Sequence, residues 1–211
     1  MTSRLLYVMD PMCSWCWGFA PVARALVEQA RAAGVPLALV MGGLRTGQGA
    51  ALEPSTKRYI LEHWHAVHDA TGQPFRFEDA LPDGFVYDTE PACRAVVSAR
   101  RLDEDCAWAL AGEIQKAFYA EGRDVTQASV LTELAERVGL PRIEFADAFD
   151  SQENHLTTLA DFSWARDLGI AGFPTLLAER DGQLALLTNG YQPLEQLAPL
   201  LERWLERGRH A

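Results

Sequence analysis

The sequence predicts an α/β fold in which a βαβ unit and a closing ββα unit bracket a long all-helical block. Three observations predict it. Short apolar runs without helical period stand at residues 4–9 and 37–41, with a helix-period segment between them. After Gly49 the apolar residues recur at spacings of three and four through most of the next stretch. Near the end, two strand-like runs meet at Asp181-Gly182, a strong hairpin signal, and a leucine-striped segment follows.

Taken in order, "RLLYVM" is the pattern of a strand buried on both faces, and Asp10-Pro11 stops it. Phe19, Val22, Ala23, Leu26, Val27 and Ala30 then mark a helix closed by Gly34 and Pro36. "LALVM" is a second buried strand, ended by Gly42-Gly43. Two strands with a helix between them predict a parallel pair with a right-handed crossover.

Ile60, Trp64 and Val67 share one face of the first helix of the block, which stops at "TGQPF". Asp88-Thr89 caps a second helix with Pro91 in its first turn. Ala107, Leu110, Ala111, Ile114 and Phe118 mark a third. Val130, Leu131, Leu134 and Val138 mark a fourth, closed by Gly139 and Pro141. Leu156, Leu159, Ala160 and Leu168 predict a further helix ending at Gly169. Strands "GFPTLLAE" and "LALLT" and a helix carrying Leu194, Leu197, Leu201 and Leu205 complete the chain. The domain reading is therefore residues 1–48 and 151–211 for the two α/β parts, with 49–150 inserted between them.

A hydrophobic content of 48% suits a packed core, and a net charge of -10 argues against nucleic acid or an anionic membrane as partner. The apolar run Leu5–Met9 is shorter than the roughly 7–15 residues of a secretory h-region, so the expectation is cytoplasmic. Four cysteines are too few for a disulfide scaffold at this length, which points to thiol chemistry at one place.

That place is "DPMCSWCWGF". Cys13 and Cys16 form a CxxC at the turn from first strand to first helix. Zinc would need a second ligand pair, and Cys93 and Cys106 lie far apart inside predicted helices, so no metal is expected. Those two read as small buried hydrophobes. A helix N-terminus offers unpaired N–H groups and a positive dipole end, which favour the thiolate, the reactive form. Cys16, one turn on, can reach the Cys13 sulfur and should be the more buried. A CxxC in a βαβ pattern signals a thioredoxin-like redox site.

"GIAGFPT" places Pro174 just before a predicted strand, where proline is tolerated. It reads either as a simple strand-start proline or as the other wall of the redox site. Together these motifs resemble the DsbA-like branch of the thioredoxin superfamily, and within it the cytosolic FrnE-type group of protein disulfide isomerases. The similarity spans essentially the whole chain, including "TGQPF" and "DTEPACRAV". The resemblance implies a thioredoxin-like fold with a helical insertion, a cis Pro174 against the cysteine pair, and thiol–disulfide oxidoreductase or isomerase activity without a cofactor. Its partners would be protein or small-molecule disulfides and dithiols, glutathione among them.

In that reading Cys13 attacks, Cys16 resolves, and Phe173 and Pro174 wall the site, with the Phe173 backbone offering strand-like hydrogen bonds to an extended substrate. Ser14 and Trp15 tune the pair; Trp15 is either an apolar contact surface or core packing. Trp17 reads as core. Asp10 would raise a nearby thiol pKa or take a proton during resolution, and otherwise is a plain Asp-Pro turn. His63, His65 and His68 read as a solvated helix face outside the site. Two other functions compete. One is a glutathione-dependent transferase or isomerase of the kappa-class or hydroxychromene-carboxylate type, which usually has serine where Cys13 stands. The other is a non-catalytic peptide-binding module around Trp15 and Phe173.

Overall fold

The computed structural model describes residues 2–209; Met1, His210 and Ala211, which the two α/β parts of the sequence reading include, lie outside the described residues. The chain runs β1 (Ser3–Met9), α1 (Ser14–Ala32), β2 (Leu37–Met41), α2 (Pro54–Thr71), α3 (Glu90–Leu102), α4 (Glu104–Tyr119), α5 (Ala128–Arg137), α6 (Arg142–Asp150), α7 (Gln152–Asp167), β3 (Thr175–Arg180), β4 (Gln183–Asn189) and α8 (Leu194–Arg209). The sheet order is β2-β1-β3-β4. β2 runs parallel to β1, with Tyr7 opposite Leu39, while β3 is antiparallel to both β1 and β4. This is the α/β arrangement the sequence predicts: a thioredoxin-like sheet with a helical insertion after β2.

Why β1 is a continuous apolar run is now visible. Leu5, Tyr7 and Met9 enter the main core with α1 residues such as Phe19 and Leu26. Leu6 and Val8 enter a second core on the opposite face with Val40, Leu177 and Ala165 of α7. Successive side chains of a strand point to opposite faces, so a strand buried on both has no polar alternation to show. Among the described residues, Asp181 (φ 48°) and Gly182 (φ 80°) both adopt the left-handed region, the geometry of the tight hairpin turn that joins β3 to β4.

Two devices fix the insertion to the sheet. Pro21 lies inside α1 and has no N–H, which removes the helical donor for the Trp17 carbonyl one turn earlier. Gln73 Nε2 donates to that carbonyl at 2.8 Å, and Trp17 Nε1 donates to Pro74 O at 2.9 Å. The "TGQP" segment after α2 therefore docks on α1 through one hydrogen bond to the carbonyl that the proline leaves free and one from the Trp17 indole. β2 is an edge strand, and its outward backbone groups would be open to a foreign strand. Instead Met41 N donates to Asp161 of α7 at 2.9 Å, and Arg100 of α3 donates to Leu39 O at 2.5 Å while pairing with Asp161 at 2.9 Å.

The structure corrects the sequence reading at several points. α6 was not expected, because its nine residues bury only Phe145 and Phe149 and show little period. α7 forms as expected but turns the other way: Leu156 and Leu159 are 59% and 53% exposed, and the buried residues are Asn154, Thr158 and Ala165. Polar residues make that contact because they are hydrogen-bonded within it. Asn154 Nδ2 donates to Ala148 O at 2.6 Å and to Ser98 Oγ at 3.3 Å. Cys106 is half-buried instead of buried, its thiol donating to Val138 O at 3.3 Å. Asp88-Thr89 does start α3: Thr89 holds the N-cap position and Asp88 accepts from Glu90 N at 3.0 Å, but the Thr89 side chain makes no capping bond and serves the site described next.

Candidate active site at the head of helix α1

Cys13 is the N-cap residue of α1, in extended conformation (φ -92°, ψ 117°), and its carbonyl accepts the first helical bond from Trp17 N at 3.1 Å. No side chain caps the helix, and its first turn holds no acidic residue. The free N–H groups of the helix start therefore face the Cys13 region without a competing carboxylate in that turn. Cys13 and Cys16 are both free thiols, 5% and 0% exposed, so Cys16 is the deeper of the two.

Across the site, the Phe173–Pro174 peptide bond is cis. The Cys13 thiol donates to the Phe173 carbonyl at 3.6 Å. The tip of the Phe173 ring abuts Gly42 just after β2: a Cβ built on Gly42 would meet its Cζ at 2.1 Å, so any larger residue there must displace the ring. Pro174 is buried, and Thr175 beyond it begins β3. Trp15 is half-buried with its ring 5.9 Å from Tyr191, packed against the core while still reaching the groove beside Cys13. Ser14 lines the same groove, and Trp17, 8% exposed, is core.

Asp10 is not a plain turn residue. It is fully buried, and its carboxylate accepts from Met12 N at 2.8 Å, Leu44 N at 2.7 Å and Cys93 Sγ at 3.4 Å. One carboxylate thus ties together the turn before Cys13, the loop after β2 and helix α3. Burial pushes the Asp10 carboxyl above its ordinary value, and the hydrogen bonds from Thr89, Leu44, Met12 and Cys93 act against that rise. Burial also pushes the Cys16 thiol well up, followed by its hydrogen bond to Cys13 and the Cys13 charge. Cys93 is held high by burial and then by Asp10. It is buried as expected, but it is a hydrogen-bonding member of the site's underside and not an inert filler.

Several residues of the site were missed. Tyr87 donates to Met12 O at 2.5 Å and so holds the turn from below. Thr89 exchanges hydrogen bonds with the Arg45 backbone, Thr89 N to Arg45 O at 2.8 Å and Arg45 N to Thr89 Oγ1 at 3.2 Å. Arg45 itself lines a groove of about 380 Å³ that opens beside Cys13, together with Tyr59 and His63. His63, which the sequence reads as outside the site, borders this groove, with Nδ1 donating to Tyr59 O at 2.9 Å. His65 stacks on Phe77 at 3.9 Å and His68 meets Gln73 O at 2.8 Å, away from the cysteines. One signal could have found Arg45: it follows the carboxyl end of a strand parallel to β1, where open α/β sheets place their ligands. Among the described residues no group of three His, Cys, Asp or Glu side chains could hold a metal ion, and no helix is long and apolar enough to cross a membrane.

A family model described as a DSBA-like thioredoxin domain matches residues 4–202. A candidate protein disulfide isomerase from Nitrosomonas europaea is 43% identical, with a TM-score of 0.91 over 98% of this chain and 99% of that one. The cytosolic disulfide reductase DsbM from Pseudomonas aeruginosa is 33% identical, with a TM-score of 0.79 over 95% and 98% of the two chains, and a structure of it with GSH superimposes at 0.77. The ClpXP adapter protein SpxH of Bacillus subtilis (strain 168) is 24% identical over 174 residues. That match covers 80% of this chain and 55% of SpxH, so the chain spans about half the length of that relative.

Proposed function

The chain belongs to the family of DSBA-like thioredoxin domains, and from that premise we propose that it exchanges thiols and disulfides through Cys13 and Cys16. The observation that carries the reading is the placement of Cys13. It sits at an uncapped helix start, beside an open groove, with the Phe173 carbonyl 3.6 Å from its sulfur and Cys16 one turn below.

In the reducing direction, the Cys13 thiolate attacks one sulfur of a substrate disulfide. A Cys13–substrate disulfide forms, and the other substrate sulfur leaves as a thiolate and takes a proton from water. Cys16 then gives up its proton and attacks the Cys13 sulfur. The Cys13–Cys16 disulfide forms, and the second substrate thiol is released. An external dithiol or monothiol restores the enzyme by the reverse exchange.

The causes of the high Cys16 pKa suit this order. Burial is the largest cause, but the next two come from Cys13, its hydrogen bond and its charge. Both vanish once Cys13 is held in a mixed disulfide. Cys16 thus stays a thiol in the resting enzyme and becomes easier to ionise when its turn comes. Asp10, buried beside the pair, stands as the group that tunes this balance, with Ser14 and Trp15 shaping the groove. Phe173 and Pro174 serve as the wall on which an extended substrate rests.

We place the protein in the cytoplasm and with the FrnE-type members of the family, acting as reductase or isomerase. The similarity to a cytosolic disulfide reductase supports this. The same relative's structure with GSH supports glutathione as one small partner. The glutathione transferase and hydroxychromene-carboxylate readings are disfavoured by an intact dithiol at the position where those proteins usually carry serine.

The test is dithiol-driven reduction of insulin with wild type, Cys13→Ser and Cys16→Ala. Turnover is expected in wild type only, with Cys16→Ala accumulating a covalent adduct one substrate thiol heavier. Equal turnover in wild type and Cys13→Ser overturns the reading.

A further inference from the structure

The groove beside Cys13 carries a charge that nothing in the exchange mechanism uses. Arg45 is the one permanently charged side chain among the described residues that line it. Its backbone is fixed by the two hydrogen bonds to Thr89, and the preceding Leu44 N is bound to buried Asp10. Its guanidinium lies 5.5 Å from the centre of the Tyr87 ring, the ring whose hydroxyl holds the turn at Met12. Its Nε is buried with no hydrogen-bond partner.

Among the described residues, Arg45 is the one arginine with a buried side-chain nitrogen that has no hydrogen-bond partner. Arg4, Arg31, Arg94, Arg100, Arg101, Arg123, Arg137 and Arg142 are each paired with a carboxylate, while among the described residues none pairs with Arg45. Other arginines of the chain also lack a carboxylate, but among the described residues Arg45 is the one that lines the groove of the reactive sulfur. A guanidinium presents planar donors that match a carboxylate two at a time, and this one lines the groove with no carboxylate among the described residues to occupy it.

We infer that Arg45 is a specificity residue: it selects disulfides that carry a carboxylate close to the sulfur attacked by Cys13. The inference rests on the exchange activity proposed above and adds to it the charge of the preferred substrate. The carboxylate docks on Arg45 at the β2 side of the groove while the disulfide lies between Cys13 and the Phe173 carbonyl. Nothing changes in the exchange step itself, and Arg45 acts by binding and orienting the substrate.

The test uses three small disulfides of similar length: anionic 3,3′-dithiodipropionate, neutral bis(2-hydroxyethyl) disulfide and cationic cystamine. Second-order rates of the reduced protein are measured with each at low ionic strength, for wild type, Arg45→Met and Arg45→Lys. The readout is the anionic-to-cationic rate ratio within one protein, which a partly folded sample does not alter. In wild type the anionic compound should react about tenfold or more faster than the cationic one. Arg45→Met should lose about tenfold of that ratio, and Arg45→Lys should keep part of it. Raising the salt to roughly one molar, where screening acts within about 3 Å, should shrink the wild-type ratio. The same ratio in wild type and Arg45→Met overturns the assignment of Arg45 while leaving the exchange reading intact. No reaction with any of the three compounds overturns the exchange reading and this inference with it.

Discussion

The Cys13 thiol donates to the carbonyl of Phe173, 160 residues away, at 3.6 Å. This contact joins the head of α1 to the segment that leads into β3, and it depends on the protonation of one sulfur. When Cys13 ionises, the donor is lost, and in the docking reading proposed above the Phe173 carbonyl is then freed to accept an N–H from an extended substrate. Attack and substrate docking thus call for the same change of state.

Gly42 controls where Phe173 can lie. A methyl group there would sit 2.1 Å from the Phe173 ring, so the ring must move in Gly42→Ala. We expect a loss of roughly 1–3 kcal/mol in denaturant unfolding, the usual cost of overpacking. The displaced ring should also carry the Phe173 carbonyl away from Cys13. Insulin reduction should therefore fall by more than the stability loss explains. Unchanged activity in a stably folded Gly42→Ala would show that the Phe173 wall is not used.

Asp10→Ala removes the acceptor of two backbone N–H groups, Met12 and Leu44, in a buried place. Leaving a buried donor unsatisfied costs about 1–3 kcal/mol, so a large drop in the unfolding midpoint is expected. The two freed segments are the ones that flank Cys13 and carry Arg45. Proton exchange at the Met12 and Leu44 amides should accelerate more than exchange in β3. Uniform acceleration across the sheet would argue against Asp10 as a local tie.

How much of this was legible differs by element. Cys13, Cys16 and Pro174 could be read because their chemistry is local: a residue type at a strand end or a helix start means the same thing in most folds. β1 and β2 could be read because strands buried on both faces carry uninterrupted apolar runs. Asp10, Thr89, Cys93 and Arg45 could not be joined in advance, since their meeting is made by the return of α3 beneath the first turn and leaves no spacing in the sequence. α7 misled for a different reason. Its packing face is satisfied by hydrogen bonds from Asn154 and Thr158, while its leucines face outward, so apolar period pointed to the wrong side.

That last point is measurable. Leu156→Ser and Leu159→Ser should each change stability by no more than about 0.5 kcal/mol, as ordinary surface changes do. Asn154→Leu, although more apolar, should cost about 1–3 kcal/mol, because it removes the donor to Ala148 O and Ser98 Oγ from a buried site. The reverse ranking in urea unfolding would return the leucines to the core.

The reduced protein should also lose stability as the pH rises, and Cys16 should be responsible for a definite share. Burial and then the neighbouring Cys13 hold its folded pKa well above the ordinary thiol value. A thiol of raised pKa holds its proton more tightly in the folded chain than in the unfolded one. Its contribution to stability is therefore complete below the unfolded value, about 8.5, and fades as the pH climbs from there toward the folded value. Tyr7, Tyr87, Cys93 and Tyr119 are also held high by burial, so wild type alone cannot isolate the effect. The comparison of reduced wild type with Cys16→Ala does. Between pH 8 and 10 the urea midpoint of wild type should fall more steeply than that of the variant. The oxidised protein, whose Cys16 sulfur carries no proton, should follow the variant's shallower slope. Parallel slopes for all three would mean that Cys16 titrates alike in the folded and unfolded chains, and that its burial does not govern its proton.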